Sequence, residues 1–293
     1  MKKLFSFVAV ISALIIAAAS TLAVPMATSV AAQTAPTATA TRLARPTATP
    51  TPKPKTTNTP RPAPGITVQP IAKVASVKSY KMAIAMKLDG VSDGKVAKGD
   101  FTVDASSLVA AKKQNFAIGG NTMGLLLGKY LRGLPVSRIT LYLFDKNTYI
   151  LAQSLLPVCA VPKTPIAGLN DLKTGLSAEV LFTSLTGSNT FFGTLVGDET
   201  VNGIATRRYK LDIPRMNALA KQNRVDAQLK SGEVWLAKDG NYVVRLVTDA
   251  IGSLAKATGV DYKGNVTINI NVSDLNKVPD IALPGACNRP IQI

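Results

Sequence analysis

The stretch SYKMAIAMKLDG, residues 79–90, alternates Tyr80, Met82, Ile84, Met86 and Leu88 with Lys81, Ala83, Ala85 and Lys87. A period of two puts one set on each face of an extended strand. Such a strand is apolar on one side and wet on the other, which suits an antiparallel sheet and not a parallel one buried on both faces. The signal recurs along the chain. KGDFTVDAS and KQNFAIGGN read as further strands, and VSRITLYLFDKNTYILAQSLL as a hairpin turning at Asp145-Lys146-Asn147. NTFFGTLVGDETVNGIATRRYKLDI forms a second hairpin around Val201-Asn202-Gly203, and GNVTININ alternates Val266, Ile268 and Ile270 with Thr267 and Asn269. SGEVWLAKDGNYVVRL, residues 231–246, holds the only tryptophan and reads as a hairpin with Asp239-Gly240 as a type I′ turn. That turn sets Trp235 opposite Val244, Glu233 opposite Leu246, Leu236 opposite Val243 and Val234 opposite Arg245. Both faces then come out mixed.

Three segments read as helices: PIAGLNDLKT, LSAEVLFTSLTG and, most clearly, residues 214–229. In the last, Pro214 fits the first turn, Gly232 the stop, and Met216, Leu219, Ala220 and Leu229 fall largely on one face. Strands joined by tight turns, plus a few amphipathic helices, make an α+β fold: a large, mostly antiparallel sheet with helices covering one face.

The first 65 residues stand apart. Lys2 and Lys3, an apolar run and then Val30-Ala31-Ala32 have the layout of a secretory signal, with cleavage before Gln33; an uncleaved membrane anchor is the alternative. Residues 33–65 are rich in Pro, Thr and Ala and cannot bury a core, so they are expected to be an extended, disordered tether. The folded domain is therefore 66–293, and it is exported under either reading.

Export fits the cysteines. Cys159 and Cys287 are the only two, and a disulfide between them is the natural reading, two free thiols the other. The chain contains no histidine, which rules out a Ser/His/Asp triad, a Cys/His dyad and His-ligated zinc. Of its 34 Lys and Arg, only Lys2, Lys3, Arg42, Arg45, Lys53, Lys55 and Arg61 precede position 66, and none of its 17 Asp and Glu does. The domain thus keeps an excess of cations, which favours anionic surfaces or plain solubility. No dense basic run with interleaved aromatics points to nucleic acid.

The order FDKNTYIL, VGDETVNGIATRRYKLDI, helix, GEVWLAKDGNYVVRL, NVSDLNKVPDIALPGAC resembles the LolA-like half-barrel superfamily, and within it lipoproteins of the LppX/LprG type. The resemblance is best over residues 140–287. It implies a curved antiparallel half-barrel with helices on its concave side. Between them it implies an apolar cavity for lipids or acylated molecules, with no covalent chemistry and no cofactor. The family's lipid-modified cysteine at the signal junction has no counterpart here, since the first cysteine is Cys159.

Cavity candidates are Met82, Ile84, Met86, Leu125, Leu126, Tyr130, Leu131, Tyr209, Met216, Leu219 and Trp235; each would look the same in a filled core. The expected partner is a lipid or acyl-chain ligand, with contact to a membrane surface as a further expectation, no nucleic acid, and a monomeric protein in the cell envelope or secreted. The alternative is a tethered envelope scaffold with a packed interior. Residues 118–135, IGGNTMGLLLGKYLRGLP, lack the spacing and the Ser/Thr of a phosphate-binding loop. They suit an apolar flap at the cavity mouth, a membrane-touching loop with Lys129 and Arg132 at the headgroups, or a short buried helix. Arg207 and Arg208, adjacent on a strand, must point to opposite faces. Asp198 and Glu199 are expected in a hairpin turn, and no carboxylate pair has glycosidase spacing.

Overall fold

The computed structural model describes residues 64–92, 94–122, 137–144, 147–153, 157–163, 178–253 and 262–292. Its strands are β1 (Ile66–Thr67), β2 (Ser79–Ser92), β3 (Lys95–Leu108), β4 (Lys113–Gly119), β5 (Arg138–Phe144), β6 (Asn147–Gln153), β7 (Val158–Val161), β8 (Thr190–Phe191), β9 (Gly193–Val201), β10 (Ile204–Leu211), β11 (Ala227–Ala237), β12 (Val243–Ser253), β13 (Tyr262–Ser273) and β14 (Ile291–Gln292). The helices are α1 (Ala178–Thr186) and α2 (Ile213–Gln222), with single 3₁₀ turns at Ile71–Lys73 and Gly285–Cys287. The signal and nearly all the tether lie outside the described residues, as do the loop 123–136 and the expected helix at 165–174.

Twelve strands form one open sheet in the order β14-β7-β6-β5-β4-β3-β2-β13-β12-β11-β10-β9, antiparallel except for the β14–β7 pair. The architecture is an α+β half-barrel. It consists of two meanders, β2 to β7 and β9 to β13, each built from neighbours in sequence. One long-range ladder joins them, running from Tyr262 opposite Ser92 to Ser273 opposite Lys81. β1 and β8 make a separate two-stranded ribbon.

The alternation in β2 is obeyed: Tyr80, Met82, Ile84 and Leu88 are buried, Met86 partly so, and Lys81, Ala83, Ala85 and Lys87 are exposed. The hairpin at Asn202-Gly203 has both residues at positive φ, 52° and 78°, the geometry that makes Asn-Gly a favoured two-residue turn. Three local expectations are corrected. The long helix stops at Gln222 because Arg224 adopts φ 58° and turns the chain; Leu229 lies in β11. Asp198 and Glu199 sit within β9, ahead of the turn. In the tryptophan hairpin Leu236 does face Val243, but the connection is wider than two residues, with Gly240 and Asn241 at positive φ. A bulge between Trp235 and Leu236 leaves Val244 unpaired, so Trp235 faces Arg245, Val234 faces Leu246 and Glu233 faces Val247.

Past β13 the chain runs back over the outer face to the far end of the sheet. Asn276 fixes its start: its side-chain oxygen accepts from Lys78 N at 2.6 Å and Ser79 N at 3.3 Å, and its amide donates to Ser76 O at 2.9 Å. Lys113 then pairs with Asp280 at 2.7 Å. The disulfide Cys159–Cys287 ties the end of this strap to β7, where a second small core gathers Leu151 with Tyr142, Tyr149 and Leu283.

Candidate functional site

Strand register defines the inner face. Tyr209, Val234, Leu246, Ile270, Ile84, Val103, Ile118 and Ile139 stand opposite one another across eight neighbouring strands. All belong to the main core or pack against it. The face is thus apolar from β10 to β5. The alternation in β5 extends it with Leu141 and Leu143, both fully buried.

Two short helices lie on part of this surface. α1 packs against β12 and β13, α2 against β11, and the helices touch each other. α2 begins where Asp212 caps it, its Oδ1 accepting from Arg215 N at 3.3 Å, and it turns Met216 and Ala220 into the core. Asn217 fastens α2 to the sheet. Its amide donates to Leu229 O at 2.9 Å and its oxygen accepts from Leu229 N at 2.8 Å. This serves the backbone of β11 where its ladder to β10, which spans Glu233 to Ala237, does not reach. A row of aromatic rings crosses from helix to sheet: Phe182 on α1 meets Phe191 at 5.9 Å, and Phe191 meets Tyr209 at 5.5 Å, both edge to face.

Among the candidates, Met82, Ile84 and Met216 are buried in this interior, and Met86 and Tyr209 border it. Leu219 is half-buried on α2. Leu125, Leu126, Tyr130 and Leu131 lie outside the described residues. Phe182 and Phe191 were not singled out from the sequence. Phe182 sits on an expected helix, but Phe191 lies in a two-residue strand too short for any periodic signal.

Among the described residues, the interior holds one acidic side chain. Glu179, in the first turn of α1, is buried and accepts from Ile71 N at 3.2 Å. Burial, reinforced by the Glu179 charge, pushes the Tyr80 hydroxyl up to about 12. Burial also raises Tyr242, with the Asp239 and Glu179 charges adding to it. A neutral phenol beside a carboxylate is a structural contact here. Among the described residues, no three metal-ligand-type side chains converge.

Trp235 is not part of the interior. It stands one residue out of phase with the core row, in register with Arg208, Arg245, Asn271 and the exposed Ala83, and so on the outer face. It is nevertheless only 5% exposed. Arg208 and Arg245 stack over the indole at 5.2 and 5.0 Å, and the indole N–H donates to Glu199. Arg208 is held in turn by Glu233, its Nη2 donating to both carboxylate oxygens at 2.9 and 2.7 Å. Arg207 is exposed on the opposite side of the strand.

The outer face also carries an open groove of about 400 Å³, lined by Lys230, Ser231, Asp249, Ala250, Asn265, Val266 and Thr267. Hydrogen bonds from Thr267 Oγ1 and Ser231 Oγ, both 2.7 Å, hold the Asp249 carboxyl below the usual carboxylate range. No described helix is long and apolar enough to cross a membrane.

No family model matches the sequence, and no curated protein matches it. Solved structures do. LppX from Mycobacterium tuberculosis is 14% identical at a TM-score of 0.34, over 70% of this chain and 90% of that one. LprF from Mycobacterium bovis is 15% identical at a TM-score of 0.37, over 74% and 99%. A putative outer membrane lipoprotein-sorting protein domain from Vibrio parahaemolyticus is 11% identical at 0.22, over 71% and 87%.

Proposed function

We propose that the protein is an extracytoplasmic binder or carrier of lipids or acylated molecules, with the acyl chain lying against the inner face of the half-barrel and no covalent chemistry. One observation carries this reading. The apolar inner face continues through β2, β3, β4 and β5, whereas the described helices pack on β11, β12 and β13. Ile84, Val103, Ile118 and Ile139 on this face are buried, so an acyl chain would lie within this apolar interior, where it gains about 0.8 kcal/mol for each methylene removed from water. Met82, Met86 and Met216 suit the task, because unbranched thioethers repack around chains of different shape. Leu125, Leu126, Tyr130 and Leu131 are proposed to complete the site, and Leu219 to border it. The signal-like N-terminus and the disulfide support an oxidising compartment outside the cytoplasm. The sequence likeness to LolA-like carriers points the same way.

The test is native mass spectrometry of protein purified without harsh detergent, followed by titration with a fluorescent fatty acid. The expected result is co-purified lipid at one equivalent and saturable binding that Ile84→Lys abolishes. An empty protein that binds no fatty acid would sink the reading. That outcome would favour a tethered envelope scaffold with a filled core, an alternative supported by the complete burial of Met82 and Met216.

A further inference from the structure

On β2 the outward positions are Lys81, Ala83, Ala85, Lys87 and Asp89, and the inward ones are apolar until Leu88. At the tip of the β2–β3 hairpin this polarity inverts. The inward positions become Gly90 and Ser92, and the outward ones become Val91 and its cross-strand partner Val96. Val91 is 45% and Val96 78% exposed. Ile251, exposed on β12, stands on the same face one rung inward, in register with Asn265 and Asp89.

Cations surround these aliphatic side chains. Lys263 is directly opposite Val91 and Lys98 flanks Val96 on the outward face, while Lys95, opposite Ser92 at the hairpin tip, stands on the other face of the same end. Lys230 reaches in from the bulged start of β11, its Nζ donating to Asn265 Oδ1 at 2.6 Å beside the outer groove. Among the described residues of this tip Asp89 is the one carboxylate, and it pairs with Lys98 at 3.5 Å; Asp93, between Ser92 and Gly94 in sequence, lies outside them. Lys95 and Lys263 have no carboxylate partner among the described residues.

The tip is firmly built. Gly90 and Gly264 face each other across the ladder so closely that a Cβ on Gly90 would lie 2.4 Å from Lys263 O. The Tyr262 hydroxyl bridges the two strands beside them, accepting from Asp89 N at 3.1 Å and donating to Asn265 O at 2.7 Å.

We propose that this end of the sheet, Val91, Val96 and Ile251 with Lys95, Lys98, Lys230 and Lys263, docks on an anionic lipid bilayer surface. The aliphatic side chains enter the headgroup region while the lysine stems extend and their ammonium groups meet phosphate, the arrangement that interfacial anchors use. The charge decides the occupant. A second copy of the chain would set these lysines against each other, and a neutral apolar partner would leave them without counter-charge. A negatively charged leaflet matches both parts of the patch. The proposal does not use the inner face, so it stands or falls apart from the acyl-chain reading.

The test is lysine acetylation footprinting of the full chain, read by peptide mass spectrometry. It is run on vesicles of phosphatidylcholine alone and of phosphatidylcholine with phosphatidylglycerol. Local protection reports docking whether or not residues 1–32 also hold the protein to the vesicle. Lys95, Lys98 and Lys263 are expected to be protected several-fold on the anionic vesicles only, and high salt to remove the effect. Lys73 and Lys112, outside the patch, should label equally in both. Val91→Thr with Val96→Thr keeps β-branching and should remove the protection. Lys95→Gln and Lys263→Gln, both at exposed sites, should each weaken vesicle binding about fivefold. Equal labelling on both vesicle types overturns the proposal. So does protection that survives both pairs of substitutions, or that grows with protein concentration without vesicles.

Discussion

Reducing the Cys159–Cys287 disulfide should destabilise the whole domain, by an amount that follows from its position. The two cysteines are 128 residues apart in sequence. In the unfolded chain the bridge closes a loop of that length, and loop-closure entropy makes this worth about 5 kcal/mol at room temperature, as an upper bound. Domains are commonly stable by only about 5–15 kcal/mol, so the reduced protein should unfold at a much lower denaturant concentration. The folded state changes little, because Cys159 and Cys287 remain buried beside Leu151. The assay is urea unfolding by circular dichroism, with and without dithiothreitol, and with the Cys159→Ser, Cys287→Ser double variant as a control. The expected loss is several kcal/mol, with a steeper dependence on urea because the reduced chain exposes more surface when unfolded. Coincident midpoints would refute the reasoning. They would mean that the strap from Asp274 to Gln292 detaches independently and that the bridge constrains only this segment.

Three further outcomes follow from specific contacts. Because Tyr80 titrates at about 12 when folded against 10.0 when unfolded, its contribution is intact below pH 10 and lost as pH rises from 10 to 12, up to roughly 2–3 kcal/mol. Alkaline unfolding should therefore be shallower in Tyr80→Phe, and a parallel slope in the two proteins would contradict the assignment. Arg245→Met should cost about 0.5–1 kcal/mol by removing one side of the stack over Trp235. It should also shift the emission of this single tryptophan, whereas an unchanged spectrum would place the indole elsewhere. Gly264→Ala would bring a Cβ to 2.4 Å from Gly90 Cα and 2.9 Å from the Tyr262 hydroxyl, and overpacking of this kind costs about 1–3 kcal/mol in thermal unfolding. A neutral substitution there would show that the two strands separate freely.

Face assignment was legible wherever alternation ran long enough. Long runs of alternating residues in β2 and β13 decided which side chains enter the core, because in a strand that choice is binary. The disulfide was legible for a simpler reason: a chain with two cysteines offers one pairing. What failed depended on contacts that no local window contains. Helix α2 ends early because Arg224 turns the chain and Asn217 holds the backbone of Leu229, a bond that exists only once β11 lies beside it. The meeting of β2 with β13 pairs residues at least 170 positions apart, and neither sequence specifies the other.

Trp235 shows the same limit at the level of one side chain. An apolar aromatic in a strand reads as a core residue, and its 5% exposure is that of one. Yet the residue is on the solvent side, because one bulged residue, Val244, sets the pairing of the hairpin. It is buried by what stands on either side of it. The guanidinium groups of Arg208 and Arg245 cover the two flanks of the ring, and Glu199 takes its N–H. Long cationic side chains can remove an aromatic from water without a core. Burial and facing are therefore separate properties in a sheet, and only strand register distinguishes them. The same holds for Val91 and Val96, which register places outward at the hairpin tip, where no long side chain covers them.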